Sequence, residues 1–488
     1  MALTMDARWV SYRCIAYLSG RGIVWGAGEG SPLPREAKDP KKYAITIDDR
    51  KLNNVECIDN EYSLLANDAS DFVFVGWRIM EVPNTHVVLA GLVQKLKVGG
   101  HIVIHCGKDA DFTKFLGSIG AWRTKINEVN NDQRVLVLKL LPYTKIWGVK
   151  SLQRPTTKRA CVVRYGAIGD AVMLTPVIKK LHEDGYEVTL NITPYCKDVF
   201  LHNPYVSNII IQERDAIPNQ ELGEYWALWA REYDRYINLS ESIEGSLLKV
   251  EWKTDFYTPK SQRATTTNYY QQMLTLSGYA EEPNVCGELF VQPEEEAEAR
   301  IILAKVGVDL SIHKVVLWAL NGSSGHKIVP LAQQILTEWL PSHPGVRVVL
   351  MGDQRAKELE FQMPKVVSLV GKISVRQMLV LTKLASVVFG PESALVNAAS
   401  CWKNCGKVVV LSHSAPENLT STWSNVYTIQ PHTACYPCYQ LHHSYDSCPL
   451  VQILDPDTDA HIADVPCCTV GYTAKEVAGL LDRALIAS

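Results

Sequence analysis

Short runs of β-branched and aliphatic residues alternate with helical or turn-rich stretches along almost the whole chain. "GIVWGAG", "YAITIDD", "DFVFVGW", "HIVIHCG" and "RVLVLKLL" are the first five such runs. This rhythm predicts α/β layering on largely parallel sheets. A basic, proline-containing stretch, "SLQRPTTKR" at 151–159, breaks it and reads as a linker. A second series follows with "ACVVRYG", "EVTLNIT", "VSNIIIQ" and "YDRYINLS", then an aromatic and polar run at 251–280. The third begins after the acidic helix "PEEEAEARIILAKVG", with "KVVLWALNG", "VRVVLMG", "VVSLVG", "SVVFGPES" and "KVVVLSHS". No internal repeat or low-complexity tract is visible.

Composition sharpens this picture. A chain of 488 residues with 47% hydrophobic content exceeds one ordinary core, and points to about three domains of roughly 150 residues. Lys+Arg at 49 against Asp+Glu at 52 leaves a formal charge of −3. That balance gives no polybasic surface for duplex DNA or anionic lipid, although a local basic groove stays open. The start, "MALTMDARWVSYRC", lacks a secretory pattern, and the longest apolar run, around "HVVLAGLV", is far below the ~18 residues of a spanning helix. The expectation is a cytoplasmic protein with no membrane span. Of 13 cysteines, eight are scattered singly, as buried thiols in a reducing compartment would be.

In the first segment, residues 1–150, Gly26, Gly28 and Gly30 follow a strand, and Asp48 closes the next one. Glycines at such a turn admit a cofactor to the backbone, and a carboxylate at the second strand end can hold ribose hydroxyls. The same pattern also serves as a plain tight turn. The stretch "DFVFVGWRIMEVPNTHVVLAGLVQKLKVGGHIVIHC" resembles class I S-adenosylmethionine-dependent methyltransferases. That resemblance implies that Gly26, Gly28 and Gly30 face the methionine moiety, Asp48 the ribose and Asp59 the adenine. The acidic residue that the family usually places before the first glycine is Val24 here, and no Asn-Pro-Pro-Tyr motif is present. Two readings stay open: an active S-adenosylmethionine enzyme, or a structural or substrate-presenting domain.

The stretch "VVRYGAIGDAVMLTPVIKKL" sets Asp170 at a strand-to-helix turn, where a carboxylate can satisfy free backbone N–H groups. Capping alone would account for it. The stretch also resembles the first strand, loop and helix of glycosyltransferase family 9, the heptosyltransferase-like enzymes of GT-B fold. "YDRYINLSESIEGSLL", "VVLWALNGSSGHKIVP" and "VVSLVGKISVRQMLVLTKLASVVFGPESALVNAAS" agree in order and spacing. The architecture implied is three Rossmann-like units: a methyltransferase-like domain (1–150), a linker (151–158), a GT-B acceptor lobe (159–295) and a GT-B donor lobe (296–488). In the form of "YDRYINLSESIEGSLL", the resemblance extends to phage-encoded members.

Transfer from a nucleotide-sugar needs a base for the acceptor hydroxyl and positive potential for the departing diphosphate. The resemblance makes Asp170 the base and Lys327 the phosphate-binding lysine. Gly322, Ser323 and Ser324, in the loop that runs on to Gly325, offer bare backbone N–H groups to the same anion. Glu392 and Ser393 stand at a helix start whose positive dipole end would face the cleft. Glu392 stands for the family's Asp, Ser393 for its Thr and Asn397 for its frequent His, with Glu392 placed to bind sugar hydroxyls. As a helix cap, Glu392-Ser393 would need no ligand. The family resemblance implies inversion at the anomeric carbon and no catalytic metal, and no Asp-x-Asp motif is present.

The last five cysteines cluster: Cys435-x-x-Cys438, then Cys448, then Cys467 and Cys468, with His442 and His443 between. Cys435, Cys438, Cys448 and Cys467 could close a tetrahedral zinc site; disulfides and unligated thiols are the alternatives. The function expected is an inverting glycosyltransferase that moves a sugar from a nucleotide-sugar donor to a glycan or other hydroxyl acceptor. Two rivals stand beside it: glycosylation of modified bases in phage DNA, and a non-catalytic binding or virion-associated protein that keeps enzyme-like folds. "HKIVP" and "KVEWKTDFYTPKSQR" supply cations for nucleic acid but no stripe.

Overall fold

The computed structural model describes residues 21–25, 44–48, 55–58, 70–76, 80, 85–94, 96–107, 110, 112, 121–128, 133–140, 158–213, 216–230, 232–240, 242–244, 247, 267–440, 448, 451–453 and 464–487. The chain divides into two compact units. The first comprises residues 1–161, 185–194 and 207–236; the second comprises 162–184, 195–206 and 237–488. Segment 159–295 therefore contributes to both.

In the first unit, seven strands form one sheet: β1 (Arg21–Trp25), β2 (Ala44–Asp48), β3 (Val55–Ile58), β4 (Ser70–Val75), β5 (Leu96–Gly107), β6 (Ala121–Glu128) and β7 (Gln133–Leu140). Their order is β3-β2-β1-β4-β5-β7-β6; β1, β2 and β3 pair antiparallel in succession, unlike the parallel 3-2-1 half of a doubly wound nucleotide-binding sheet. β1, β4 and β5 are parallel, as their continuous apolar runs predict. β2 differs, because it runs antiparallel to β1 and pairs Asp48 with Arg21. Helix α1 (Thr85–Gln94) is buried from Val87 onward. Its side chains share a core with Val73, Ile104 and Leu136 of the sheet and with Ile210, Tyr225 and Trp229. Glu221 ties the start of α1, accepting from the His86 backbone N–H at 2.7 Å and lying 3.0 Å from its Nδ1.

A four-stranded sheet, in the order β10-β9-β8-β11, uses β8 (Lys158–Arg164), β9 (Tyr186–Ile192), β10 (Asn208–Ile211) and β11 (Arg235–Asn238). β8 and β11 run on from the first unit into the second. Arg164 ends β8, and the chain turns through Gly166 into helix α2 (Ile168–Glu183). Helix α3 (Leu222–Ala230) precedes β11.

The second unit is built on β12 (Lys314–Ala319), β13 (Val346–Met351), β14 (Val366–Ser368), β15 (Val387–Pro391), β16 (Gly406–Val410) and β17 (Val426–Ile429). All five pairings are parallel, in the order β14-β13-β12-β15-β16-β17. Helices α4 (Tyr269–Leu276), α5 (Pro293–Lys305), α6 (Ala332–Trp339), α7 (Val375–Leu384), α8 (Ala394–Ala399) and, as α9, Ala474–Ile486 belong to the same unit. Trp318 and Phe389 pack across β12 and β15 with ring centroids 3.8 Å apart. Among the described residues no helix is long and apolar enough to cross a membrane.

The order of this sheet fixes where a ligand can enter. From β12 the chain proceeds to β13 and β14, then returns to lay β15 on the other side of β12. Loops leaving the carboxyl ends of β12 and β15 therefore diverge, and the crevice between them is the usual ligand position in such sheets.

Candidate functional site

A cavity of about 640 Å³ lies within the second unit at those carboxyl ends. It receives the loop after β8 (Gly166 to Asp170), the loop after β12 (Asn321 to Lys327), Gly352 and Asp353 after β13, Glu392 and Ser393 after β15, and His413 after β16. Residues more than 200 positions apart in the chain thus meet in one concavity.

Asp170 lines it, in the third position of α2 rather than at the cap itself, which is Ala167. Its Oδ2 accepts from the Ala167 N–H at 2.6 Å, and its Oδ1 lies 2.9 Å from Arg164 Nη2. The same Nη2 donates to Glu244 Oε1 at 3.0 Å. Burial of Arg164 opposes its charge, but the Asp170 and Glu244 carboxylates outweigh that and hold the guanidinium firmly ionised. Gly166 permits this packing: a Cβ there would stand 2.7 Å from Asp170 Oδ2 and 3.0 Å from Arg164 Cζ. Capping is therefore one role of Asp170, and exposure to the cavity is compatible with a second.

Lys327 also lines the cavity, with Gly322 and Ser323. The loop differs from its expected form, because Gly322 N–H donates to the Lys327 carbonyl and Lys327 N–H to the Ser324 carbonyl. Gly322 is thus committed to closing the loop and is not a bare anion-binding N–H. Ser324 is 1% exposed and lies outside the wall, its Oγ 3.3 Å from the His326 ring nitrogens.

Glu392 and Ser393 border the same cavity. Both Glu392 oxygens are already engaged: Oε1 accepts from Ser412 N–H (2.9 Å) and Ser414 N–H (3.3 Å), and Oε2 from Ser414 Oγ, while lying 2.8 Å from His413 Nδ1. Burial would raise its pKa, but the nearby His413 ring, Lys327 and the Ser412 N–H bring it down to about 2. Glu392 therefore anchors the 412–414 loop instead of presenting open oxygens to a sugar. Ser393 is the N-cap of α8, yet its hydroxyl makes no capping bond and is buried without a partner. α8 spans only six residues, so the positive end expected there is weak and Lys327 supplies the nearby charge. Asn397 lines the cavity too; its Nδ2 donates to the Ser393 carbonyl at 2.8 Å, leaving a buried Oδ1 unpartnered.

The fold is similar to that of a glycosyl transferase family 9 protein from Veillonella parvula, 12% identical, over 68% of this chain and 99% of that one, with a TM-score of 0.50. The likeness is one of fold. ADP-heptose lipopolysaccharide heptosyltransferase II of Escherichia coli (15% identical, 67% and 98% covered) gives a TM-score of 0.45. The iron-containing dodecameric glycosyltransferase TibC of enterotoxigenic E. coli (15%, 67% and 76%) gives 0.44. No family model matches the chain, and no curated protein matches it. The chain is a mixed α/β protein with parallel sheets, in keeping with a GT-B glycosyltransferase fold.

Sequence reasoning missed Arg164, Glu244, His413 and the Asp353–Arg355 pair, all in or beside this cavity. Of the expected S-adenosylmethionine set, Gly26, Gly28, Gly30 and Asp59 lie outside the described residues. Asp48, expected beside the glycine turn, is opposite Arg21, the first residue of β1, roughly 14 Å from Trp25, the last described residue before the glycines, at about 3.4 Å per residue. The reversal of β2 is the cause.

None of Cys435, Cys438, Cys448, Cys467 and Cys468 is in a disulfide. Burial, and after it the nearby Cys438, Cys448 and Cys435, push the Cys468 thiol up. Among the described residues no group of three His, Cys, Asp or Glu side chains is arranged to hold a metal ion, and His442 and His443 lie outside them.

Proposed function

We propose that the second unit transfers a sugar from a nucleoside-diphosphate sugar to a hydroxyl acceptor, with inversion. One observation carries this reading: Asp170, Lys327 and the unpartnered Ser393 hydroxyl share one cavity at the crevice of a doubly wound sheet. The fold likeness to a family 9 glycosyltransferase supports it. Asp170 takes the proton of the acceptor hydroxyl as that oxygen attacks the anomeric carbon. The bond from that carbon to the diphosphate oxygen breaks, and the nucleoside diphosphate leaves with the electron pair. Lys327 balances the charge that develops on it, and Ser393 donates to a phosphate oxygen.

With Asp48 paired to Arg21, the first residue of β1, methyl transfer forms no part of the proposed activity.

Thermal denaturation against ADP-, UDP-, GDP- and dTDP-sugars tests the reading. A ligand at about 100 times its Kd adds roughly 2.7 kcal/mol of stability, and Lys327→Ala is expected to lose most of that gain. Absence of stabilisation by every nucleotide-sugar would contradict the proposal and favour a non-catalytic scaffold.

A further inference from the structure

The proposed proton transfer uses Asp170 but leaves a second carboxylate of the same cavity without a task. Glu244 shares Arg164 with Asp170, the two contacts measuring 3.0 and 2.9 Å. The guanidinium is 1% exposed and is not part of the cavity wall. Its charge is spent on two carboxylates, so this wall is net negative.

Two acceptor oxygens on the wall are unsatisfied. Glu244 Oε2 is buried with no hydrogen-bond partner, and so is Asn397 Oδ1 on a side chain only 4% exposed. The bond from Asn397 Nδ2 to the Ser393 carbonyl fixes which end of the amide is left over. Asn397 also abuts the Asp170 loop, since a Cβ on Gly169 would come within 2.9 Å of its Nδ2. The cations that line the cavity, Lys327 in the loop after β12 and Arg355, which is paired with Asp353 after β13, belong to other loops than Asp170 and Glu244, on the diphosphate side of the proposed reaction. A ligand beside Asp170 thus meets acceptors that want donors, and an anion there would meet like charge with its own oxygens unpaired.

We propose that Glu244 selects the acceptor. It takes a hydrogen bond from a hydroxyl or ammonium next to the reacting hydroxyl, assisted by Asn397, and excludes acceptors that carry phosphate or carboxylate at that position. The acceptor class is therefore a neutral or cationic polyhydroxy compound. This inference rests on the glycosyltransferase reading, since it assigns the space beside Asp170 to the acceptor.

The test uses the full chain saturated with ADP or UDP, whichever binds tighter, so that the diphosphate site is filled. Methyl glucoside, its 2-amino analogue and its 6-phosphate are then titrated by calorimetry and ligand-detected NMR. The neutral and amino sugars are expected to bind roughly tenfold or more tightly than the phosphate, as one lost charged hydrogen bond implies. Glu244→Gln should weaken the amino sugar most, and Glu244→Lys should reverse the order, with nucleotide affinity and melting temperature as controls for folding. Equal or preferred binding of the phosphate to the wild type overturns the inference, with no variant needed. Binding of nucleotide but of none of the three sugars also overturns it, while the glycosyltransferase reading stands. Failure of every nucleotide to bind overturns that reading instead.

Discussion

Replacing Glu392 by Gln removes one charge from the lining of the cavity while keeping the side chain's size. In the wild type this carboxylate accepts from Ser412 N–H, Ser414 N–H and Ser414 Oγ, and faces His413 Nδ1 at 2.8 Å. Burial opposes its ionisation, but His413, Lys327 and Ser412 outweigh burial and set its pKa at about 2 against an ordinary 4.5. A carboxyl whose pKa is lower in the folded chain contributes its full stability above the unfolded value. That contribution is lost as pH falls through the folded one. A depression of this size corresponds to about 3 kcal/mol, at the low end of the roughly 3–5 kcal/mol lost when a buried pair is broken. For a unit of this size each kcal/mol moves Tm by roughly 2–4 °C. Glu392→Gln should therefore melt roughly 6–12 °C below the wild type near neutral pH. Paired thermal melts across the acid range are the assay. The gap is expected to be constant above the unfolded value of 4.5, to close progressively below it, and to be nearly gone at about 2. A gap that does not narrow, or none at neutral pH, would refute the claim that the carboxylate charge orders this loop.

Two further substitutions probe the frame of the site. Gly166→Ala would set a Cβ 2.7 Å from Asp170 Oδ2 and 2.8 Å from Asp170 Cβ; rotating the carboxylate cannot relieve the second contact, so the loop must shift at a cost of about 1–3 kcal/mol, and a displaced base should lower turnover by roughly 10²-fold. Full turnover in this variant would show that the position of Asp170 is not critical. Ser374 caps α7 by accepting from Gln377 N–H, with Gln377 returning a bond to the Ser374 N–H. Ser374→Ala should cost about 1 kcal/mol by chemical denaturation, and an unchanged midpoint would deny the capping box any weight.

The local motifs were readable before any coordinates because each is contiguous. The Gly-x-x-Gly-Asp turn, the Gly/Ser loop with Lys327 and the Glu392-Ser393 turn all follow apolar strands, and a parallel sheet sends such loops to one edge. What joins them was not readable. Arg164 meets Glu244 across 80 residues, and nothing in either neighbourhood names the other. Glu392 has the residue type of a sugar ligand, but its partners in the 412–414 loop decide its task. Ser324 has the composition of a phosphate loop and turns inward to His326. β2 has the alternation of any strand, and alternation carries no direction, so the spacing from Gly28 to Asp48 could not reveal that the strand runs backwards.

Whether Asp170 takes the acceptor's proton is best decided by Asp170→Asn, assayed for release of nucleoside diphosphate in the presence of acceptor, with nucleotide affinity measured on the same protein. Asparagine keeps the shape and can still meet the Ala167 N–H, but cannot accept a proton. Turnover is predicted to fall by roughly 10²–10⁴-fold with nucleotide affinity unchanged. Turnover equal to the wild type would contradict the account.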